Sequence, residues 1–341
     1  MNPFEKRVLG RTGIEVSLLG FGAGQLGEPL ARMPEDQAQE AINAGLEAGI
    51  AYWDTAPWYG LGLSEHRVGH GLRRRPRDRF VLSTKVGRVL FRPEDPGSVD
   101  RGPWAGGLPF SYRFDYTYGG IMRSYEDSLM RLGLNRVDLL LIHDLDPGEH
   151  GSEEAVERHL AELDRGGGFR ALAELRSSGD VGGIGAGINQ AEMMPRFVRD
   201  FDIDLFLLAL PYSLLDQGPL DAELPLCAER DIGIVKGAPY ASGILATWPG
   251  PDDLFGYRPA PPPVLDKVRA IRAVCDRHGV ALRAASLQFL LGHPSIATVI
   301  PGCSSRAEVL DNIEMVRAPI PGALWDELKA EGLVREDAPT P

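Results

Sequence analysis

Four residues of this chain could together move a proton. Asp54 follows the apolar run "AYW", Lys85 follows "FVLST", His143 follows "DLLLI", and Tyr59 stands among glycines in "DTAPWYGLGLSE". One buried strand ending in a charge is ordinary, because strand ends surface and meet water. Three such strands whose ends share a face would gather a carboxylate, an ammonium and an imidazole around a phenol. An ammonium beside a phenol favours phenolate and lowers its pKa from a reference of about 10, while the carboxylate would keep the lysine charged and oriented. The expectation is a tyrosine suited to proton transfer at neutral pH.

The elements that must position these groups are legible as short apolar runs: "VSLLGFG" (16–22), "AYWDT" (51–55), "FVLSTK" (80–85), "RVDLLLIH" (136–143), "GGIGAG" (182–187), "DLFLLAL" (204–210), "IGIVKG" (232–237) and "ATVIPG" (297–302). Between them lie stretches with helical spacing. Examples are Ala38, Ala41, Ile42 and Leu46, with Pro34 in the first turn; Met122, Tyr125, Leu129 and Leu132; and Leu265, Val268, Ile271 and Cys275. Uniformly apolar strands alternating with helices imply parallel pairing with right-handed crossovers, and eight of them predict one closed (β/α)8 barrel over residues 1–341. All carboxyl ends of such a barrel point to one face, where the four residues could converge. "RVLGRTGIEVS" reads as a hairpin before strand one. Long Gly-, Pro- and aromatic-rich connections follow strands three and seven, as active-site loops do, and the tail "REDAPTP" should fray.

Composition excludes several functions. The 341 residues carry 48 acidic and 36 basic side chains, a formal charge of -12 that would repel a phosphate backbone and an anionic membrane surface. No apolar run approaches the roughly 20 residues of a membrane span, and the amino terminus lacks the apolar core of a secretory signal, so a cytoplasmic protein is expected. Cys227, Cys275 and Cys303 are far apart with no paired histidines, which argues against disulfides and against a metal. "GAGQLG" (22–27) fits G-x-G-x-x-G, but Pro29 interrupts before any helix, and the acid closing the next strand is Asp54, too late for a dinucleotide fingerprint.

"DTAPWYGLGLSE", "STK", "LLIHDLD" and "VIPGCSSRAEVLDN" resemble the signatures of the aldo-keto reductase superfamily, in order, from about residue 7 to residue 316. "FDYTYGGIMRSYEDSLMRLGLNRVDLLLIHDLD", "GAGINQ" and "SGILAT" further resemble its bacterial sugar dehydrogenase branch, whose members oxidise L-fucose, D-threo-aldoses or pyridoxal. The resemblance implies a catalytic tetrad of Asp54, Tyr59, Lys85 and His143, the same four residues. It implies NAD or NADP as cofactor, with Ala238, Ser242, Gly243, Ile244 and Leu245 clasping the pyrophosphate. Gly302, Cys303 and Ser304 would lie near the adenosine phosphate and ribose, and Glu308 and Asn312 toward the adenine. Gly22 and Asp54 border the nicotinamide side, and Asn189 would bind the carboxamide, although its usual glutamine partner is Ala209 here. Trp58, Tyr59 and His143 would meet a sugar or aldehyde substrate, with Trp104, Phe110 and Tyr116 as further aromatic candidates. Glu308, where relatives binding NADP carry arginine, favours NAD. The implied reaction is oxidation of an aldose at C1 to the lactone; a pyridoxal 4-dehydrogenase, a general aldehyde reductase, or a cofactor-binding regulatory subunit are the alternatives. Oligomeric state is left open.

Overall fold

The computed structural model describes residues 1–29, 31–95, 97, 99–247 and 253–341. Eight strands form one parallel sheet in sequential order: Phe21–Gly22, Tyr52–Asp54, Val81–Val86, Leu139–His143, Gly183–Ile188, Leu205–Leu208, Gly233–Gly237 and Ile296–Ile300. They are numbered one to eight below. The bridges Leu19 to Val299 and Gly22 to Gly302 join strand one to strand eight and close the barrel. All eight apolar runs thus become barrel strands, although the first run splits. Its first two residues, Val16 and Ser17, belong to a strand Glu15–Ser17 that pairs antiparallel with Lys6–Val8, as the hairpin reading anticipated. That hairpin sends Leu9 and Val16 into the barrel interior beside Tyr52, Leu139, Leu141, Leu205, Leu207 and Val235, closing the amino-terminal end.

Period-two alternation decides which side chains reach the site. In strand four Leu139 and Leu141 face the interior, whereas Leu140 and Ile142 pack outward in the barrel–helix layer, so His143 turns inward at the carboxyl end. The same parity carries Tyr52 and Asp54 inward on strand two, and Ser83 and Lys85 follow on strand three, registered beside them with Ser83 opposite Asp54. On strand five, Gly187 leaves room for the lysine stem: a Cβ there would stand 3.3 Å from Lys85 Cε.

The helices form where periodicity predicts, at Glu35–Ala48, Tyr118–Leu132 and Pro262–Arg277 among others. Pro34 sits one position earlier than expected, as the N-cap of Glu35–Ala48. The connection after strand three contains an antiparallel hairpin, Arg88–Phe91 with Ser111–Phe114. The connection after strand seven contains a smaller one, Leu254–Phe255 with Arg258–Pro259, while residues 248–252 of that segment lie outside the described residues. The tail does not fray. Val334 and Ala338 are buried, Arg335 bonds Gln217 and Asp221, and Pro341 packs on Gly292. Small and charged residues gave no hydrophobic signal for this docking, because an alanine and a proline suffice to fill it.

One buried ion pair fastens the loop after strand one over the site. Arg67, on helix Leu63–Leu72, bonds Glu28 Oε1 at 2.7 Å, Glu35 Oε2 at 2.8 Å, and the carbonyls of Leu26 and Met33 at 2.9 Å each. Glu28 in turn accepts from Ala105 through its backbone carbonyl, which ties this loop to the strand-three connection. Arg67→Met would leave the buried Glu28 carboxylate without its cation, a change that typically costs about 3–5 kcal/mol. Urea unfolding of the variant should show a loss of that order; a change below ~1 kcal/mol, the size of an exposed pair, would mean that the network is peripheral.

Candidate active site

The four predicted residues meet at the carboxyl end of the barrel. Lys85 Nζ donates to Asp54 Oδ2 at 2.7 Å, to the Thr55 carbonyl at 2.9 Å and to the Tyr59 hydroxyl at 3.1 Å. Its three N–H groups are therefore accounted for. Asp54 is held from its other oxygen by Ser83 Oγ at 2.6 Å, and Ser83 is held by Tyr52 OH at 2.8 Å. The His143 ring meets the Tyr59 ring edge-on with centroids 5.7 Å apart.

Burial shapes the electrostatics. It pushes the Tyr59 phenol well above the ordinary tyrosine value, reinforced by the Asp54 and Asp144 carboxylates and opposed by Arg88. The expected lowering is thus corrected for the site as it stands: desolvating a phenolate outweighs the favourable cations. Burial also carries His143 well below the ordinary histidine value, helped by Arg88 and Lys85, so its imidazole is neutral. A neutral histidine can donate a hydrogen bond but is a poor acid. Tyr59, protonated and bonded to Lys85, is the group equipped to give or take a proton.

Around this centre stand residues that sequence reasoning missed. Arg88, 1% exposed, lies with Nη2 3.2 Å from Asp144 Oδ2 and 2.7 Å from Glu149 Oε1, and its guanidinium packs over the rings of Trp58, Tyr112 and Phe114. Asp144, in the left-handed region at φ 47°, lies 3.2 Å from His143 Nε2 and accepts from Asn189 Nδ2 at 2.9 Å. Asp144 sits in the quoted "LLIHDLD" and Arg88 lies three residues beyond the quoted "STK", so nearness to His143 and Lys85 was the available signal. Of the aromatic candidates, Trp58 and Trp104 pack edge-on, and Trp104 lies 5.9 Å from the Tyr59 ring. Tyr116 is fully buried behind the site, donating to the His143 carbonyl, and Phe110 is on the surface. Tyr257, in the turn of the small hairpin after strand seven, has an exposed ring and donates its backbone amide to Ser242 Oγ.

The aldo/keto reductase family profile matches residues 18–331. The chain belongs to the aldo/keto reductase family. It is 39% identical to pyridoxal 4-dehydrogenase of Microbacterium luteolum, with 97% of this chain and 98% of that one aligned. It is 38% identical to D-threo-aldose 1-dehydrogenase of a Pseudomonas species over 96% and 97% of the two chains. Among solved structures, the holo form of an aldo-keto reductase from Bacillus halodurans superposes with a TM-score of 0.74 at 26% identity, covering 97% of each chain. This aldo/keto reductase is therefore an oxidoreductase on a (β/α)8 barrel.

The rim residues expected to hold a nicotinamide dinucleotide fit that role unevenly. After strand seven, Ala238, Ala241, Ser242 and Gly243 all have positive φ, and Gly243 has open space where a Cβ would project. Ala241 N, Gly243 N and Leu245 N donate to the Ala238 and Tyr240 carbonyls within the turn, so the Ser242 hydroxyl is the side-chain donor it offers a phosphate. Ser242 Oγ accepts from Tyr257 N at 3.1 Å, leaving its own proton free to donate, while the Ile244 and Leu245 side chains are buried beneath. Elsewhere, too, groups are occupied. Gly22 N donates to Pro301, closing the barrel beside Gly302. Cys303 is buried, its thiol pushed up to about 12 by burial, and receives Asn312 Nδ2 at 3.4 Å; Asn312 Oδ1 accepts from Tyr240 OH at 2.5 Å. Glu308 accepts from Ser304 N and Oγ at 2.7 and 2.9 Å. Asn189 faces Asp144 rather than a partner on strand six, where Ala209 offers no side-chain polar group. Among the described residues no His, Cys, Asp or Glu cluster could hold a metal.

Tyr59→Phe should cost about 10²- to 10⁴-fold in turnover with nearly unchanged cofactor dissociation, since only the proton-transfer group is removed. Retention of most activity would remove Tyr59 from the chemistry. Because the phenol pKa is raised, alcohol oxidation, which needs the base form, should quicken as pH rises into the alkaline range; carbonyl reduction, which needs the acid, should hold until it declines there. Lys85→Met removes the cation at 3.1 Å and should shift that limb to still higher pH. Superimposable profiles for parent and variant would refute the coupling.

Proposed function

We propose that this enzyme oxidises an aldose at its anomeric carbon to the lactone, with NAD as the preferred hydride acceptor. The observation that carries the reading is the Asp54–Lys85–Tyr59 chain beside a neutral His143, opening onto a wall of Trp58, Trp104 and Tyr112. When bound, the nicotinamide supplies the hydride acceptor at its C4. Tyr59 takes the proton of the anomeric hydroxyl as the C1 hydrogen leaves as hydride. His143 Nε2 orients the reacting oxygen. Lys85, itself fixed by Asp54, stabilises the phenolate charge that Tyr59 carries before it takes the proton. The aromatic wall suits the apolar face of a sugar ring.

The name of the Microbacterium relative supports a second reading, in which the substrate is pyridoxal in its hemiacetal form and the product is again a lactone. The same tetrad would serve, and the rings would stack on a flat heterocycle. The intact tetrad favours turnover over a regulatory role. Initial rates with a panel of aldoses, including L-fucose, with pyridoxal and with simple aldehydes, each with NAD and NADP, separate the readings by the appearance or loss of reduced-nicotinamide absorbance. Aldoses should give the highest kcat/KM; a larger value for pyridoxal would select the second reading.

The dinucleotide preference rests on the loop after strand eight. Glu308 caps its own helix through Ser304, and Arg306 is drawn to Glu47 at 3.1 Å, so the segment presents an acid rather than a free guanidinium. A carboxylate there disfavours a 2′-phosphate and could accept a hydrogen bond from a free 2′-hydroxyl. Each 1.4 kcal/mol of repulsion is about tenfold, and after solvent screening NAD should be preferred by roughly 10- to 100-fold in kcat/KM. Glu308→Arg should narrow or reverse that ratio. Equal efficiency with NADP in the parent, or a ratio unmoved by the substitution, would instead leave Glu308 as a helix cap alone.

A further inference from the structure

Asp144 is not one of the four residues that move the proton, yet it is built into the same face with unusual care. Its Oδ2 lies 3.2 Å from His143 Nε2 and 3.2 Å from Arg88 Nη2, and its Oδ1 accepts from Asn189 Nδ2 at 2.9 Å. Its backbone is held in the left-handed region, with its amide donating to the Gly187 carbonyl at 2.8 Å. Such a conformation costs of order 1 kcal/mol or more and persists where surrounding structure imposes it. Arg88 is buried and the same Nη2 also meets Glu149 Oε1 at 2.7 Å, so the cation is a fixed partner for the carboxylate and not a surface accident. None of this is needed for proton transfer through Tyr59.

The placement indicates what the carboxylate meets. His143 Nδ1 is buried without a hydrogen-bond partner among the described residues, whereas Nε2, the nitrogen that orients the reacting oxygen in the proposed reaction, lies on the Asp144 side at 3.2 Å. A reacting oxygen held by Nε2 would lie close to Asp144 Oδ2, within reach of a hydroxyl on the neighbouring carbon that donates to that carboxylate. Oxygens on adjacent carbons are separated by about one hydrogen-bond length. A carboxylate has about four lone-pair sites, and those on Asp144 are not exhausted by Asn189, Arg88 and His143.

We propose that Asp144 is a specificity-determining residue that accepts a hydrogen bond from a hydroxyl on the carbon adjacent to the reacting one, selecting α-hydroxy aldehydes and their cyclic hemiacetals. The inference deepens the aldose reading and rests on it for the site's orientation. Aldoses carry such a hydroxyl at C2, whereas the carbon bonded to the aldehyde of pyridoxal carries none. A hydroxyl donating to a charged acceptor makes a stronger bond than a neutral pair, and a substrate lacking it leaves the carboxylate desolvated without compensation.

The test uses a matched pair of small carbonyls, lactaldehyde and propanal, which differ by that hydroxyl alone, with the parent enzyme, Asp144→Asn and Asp144→Ala. In the parent, kcat/KM for reduction of lactaldehyde should exceed that of propanal by about 10- to 100-fold, the range of a hydrogen bond to a charged group. Asp144→Ala should bring the ratio to within about threefold of unity, and Asp144→Asn, which keeps an acceptor oxygen without the charge, should fall between. A parent that does not discriminate, or a ratio that survives in both variants while both rates fall together, would overturn the proposal and leave Asp144 a prop for His143. If Asp144→Ala does not fold, Asp144→Asn decides by the same ratio. Because neither test substrate is a sugar, a parent that selects lactaldehyde yet turns over no aldose would refute the aldose reading while sustaining this one.

Discussion

The interior of the barrel contains an ammonium group, and much of the site follows from the need to satisfy it. Lys85 is 1% exposed, and removing a charge from water costs several kcal/mol unless every donor is met and an opposite charge lies close. Asp54, Thr55 and Tyr59 supply three acceptors, one for each N–H. Two of the three lie at the end of strand two, so strands two and three must be neighbours in this register. The third lies in the loop just beyond, which folds back over the lysine. The chain Tyr52–Ser83–Asp54 then fixes the carboxylate from behind. A packing requirement and a catalytic arrangement are therefore met by the same contacts: the phenol is in place because the ammonium needs a third partner.

That arrangement sets two effects against each other at Tyr59. The cation favours phenolate, and enclosure disfavours it; enclosure prevails here, aided by Asp54 and Asp144. Sequence spacing revealed the cation but not the depth of the pocket, which is why the direction of the shift was misjudged from the residues alone. The consequence is a phenol that rests protonated, an acid poised for carbonyl reduction that must be relieved of its proton before oxidation can begin. His143, kept neutral by burial, by Arg88 and by Lys85, does not compete for that role.

The legible part of the molecule was the part governed by alternation. Asp54, Lys85 and His143 each end an apolar run with the parity that turns a side chain inward, and strand order alone brings them together. Arg88 and Asp144 obey no such local rule. Arg88 enters the site because its strand pairs with Ser111–Phe114 across a long excursion, and Asp144 because it adopts a positive φ that Asp tolerates better than most residues. The rim divides for a related reason. The turn after strand seven follows from local chemistry, whereas the engagement of Asn312 by Tyr240 and Cys303 depends on packing between distant elements.

Chemistry and selectivity consequently occupy different physical layers. Asp54, Lys85 and His143 stand on strands, and the barrel fixes their geometry. The wall facing them is borrowed from two connections: Trp58 after strand two, and Trp104 and Tyr112 after strand three. Trp104 keeps its place because Pro29 and Glu28 of the loop after strand one hold its segment by backbone contacts, and Glu28 is itself held by the buried Arg67. The position of a ring packed against Tyr59 thus depends on an ion pair that does not touch the tetrad. Loops anchored in this indirect way can be repacked while the strands keep their register, which gives a physical route for relatives named for an aldose and for pyridoxal to share one fold.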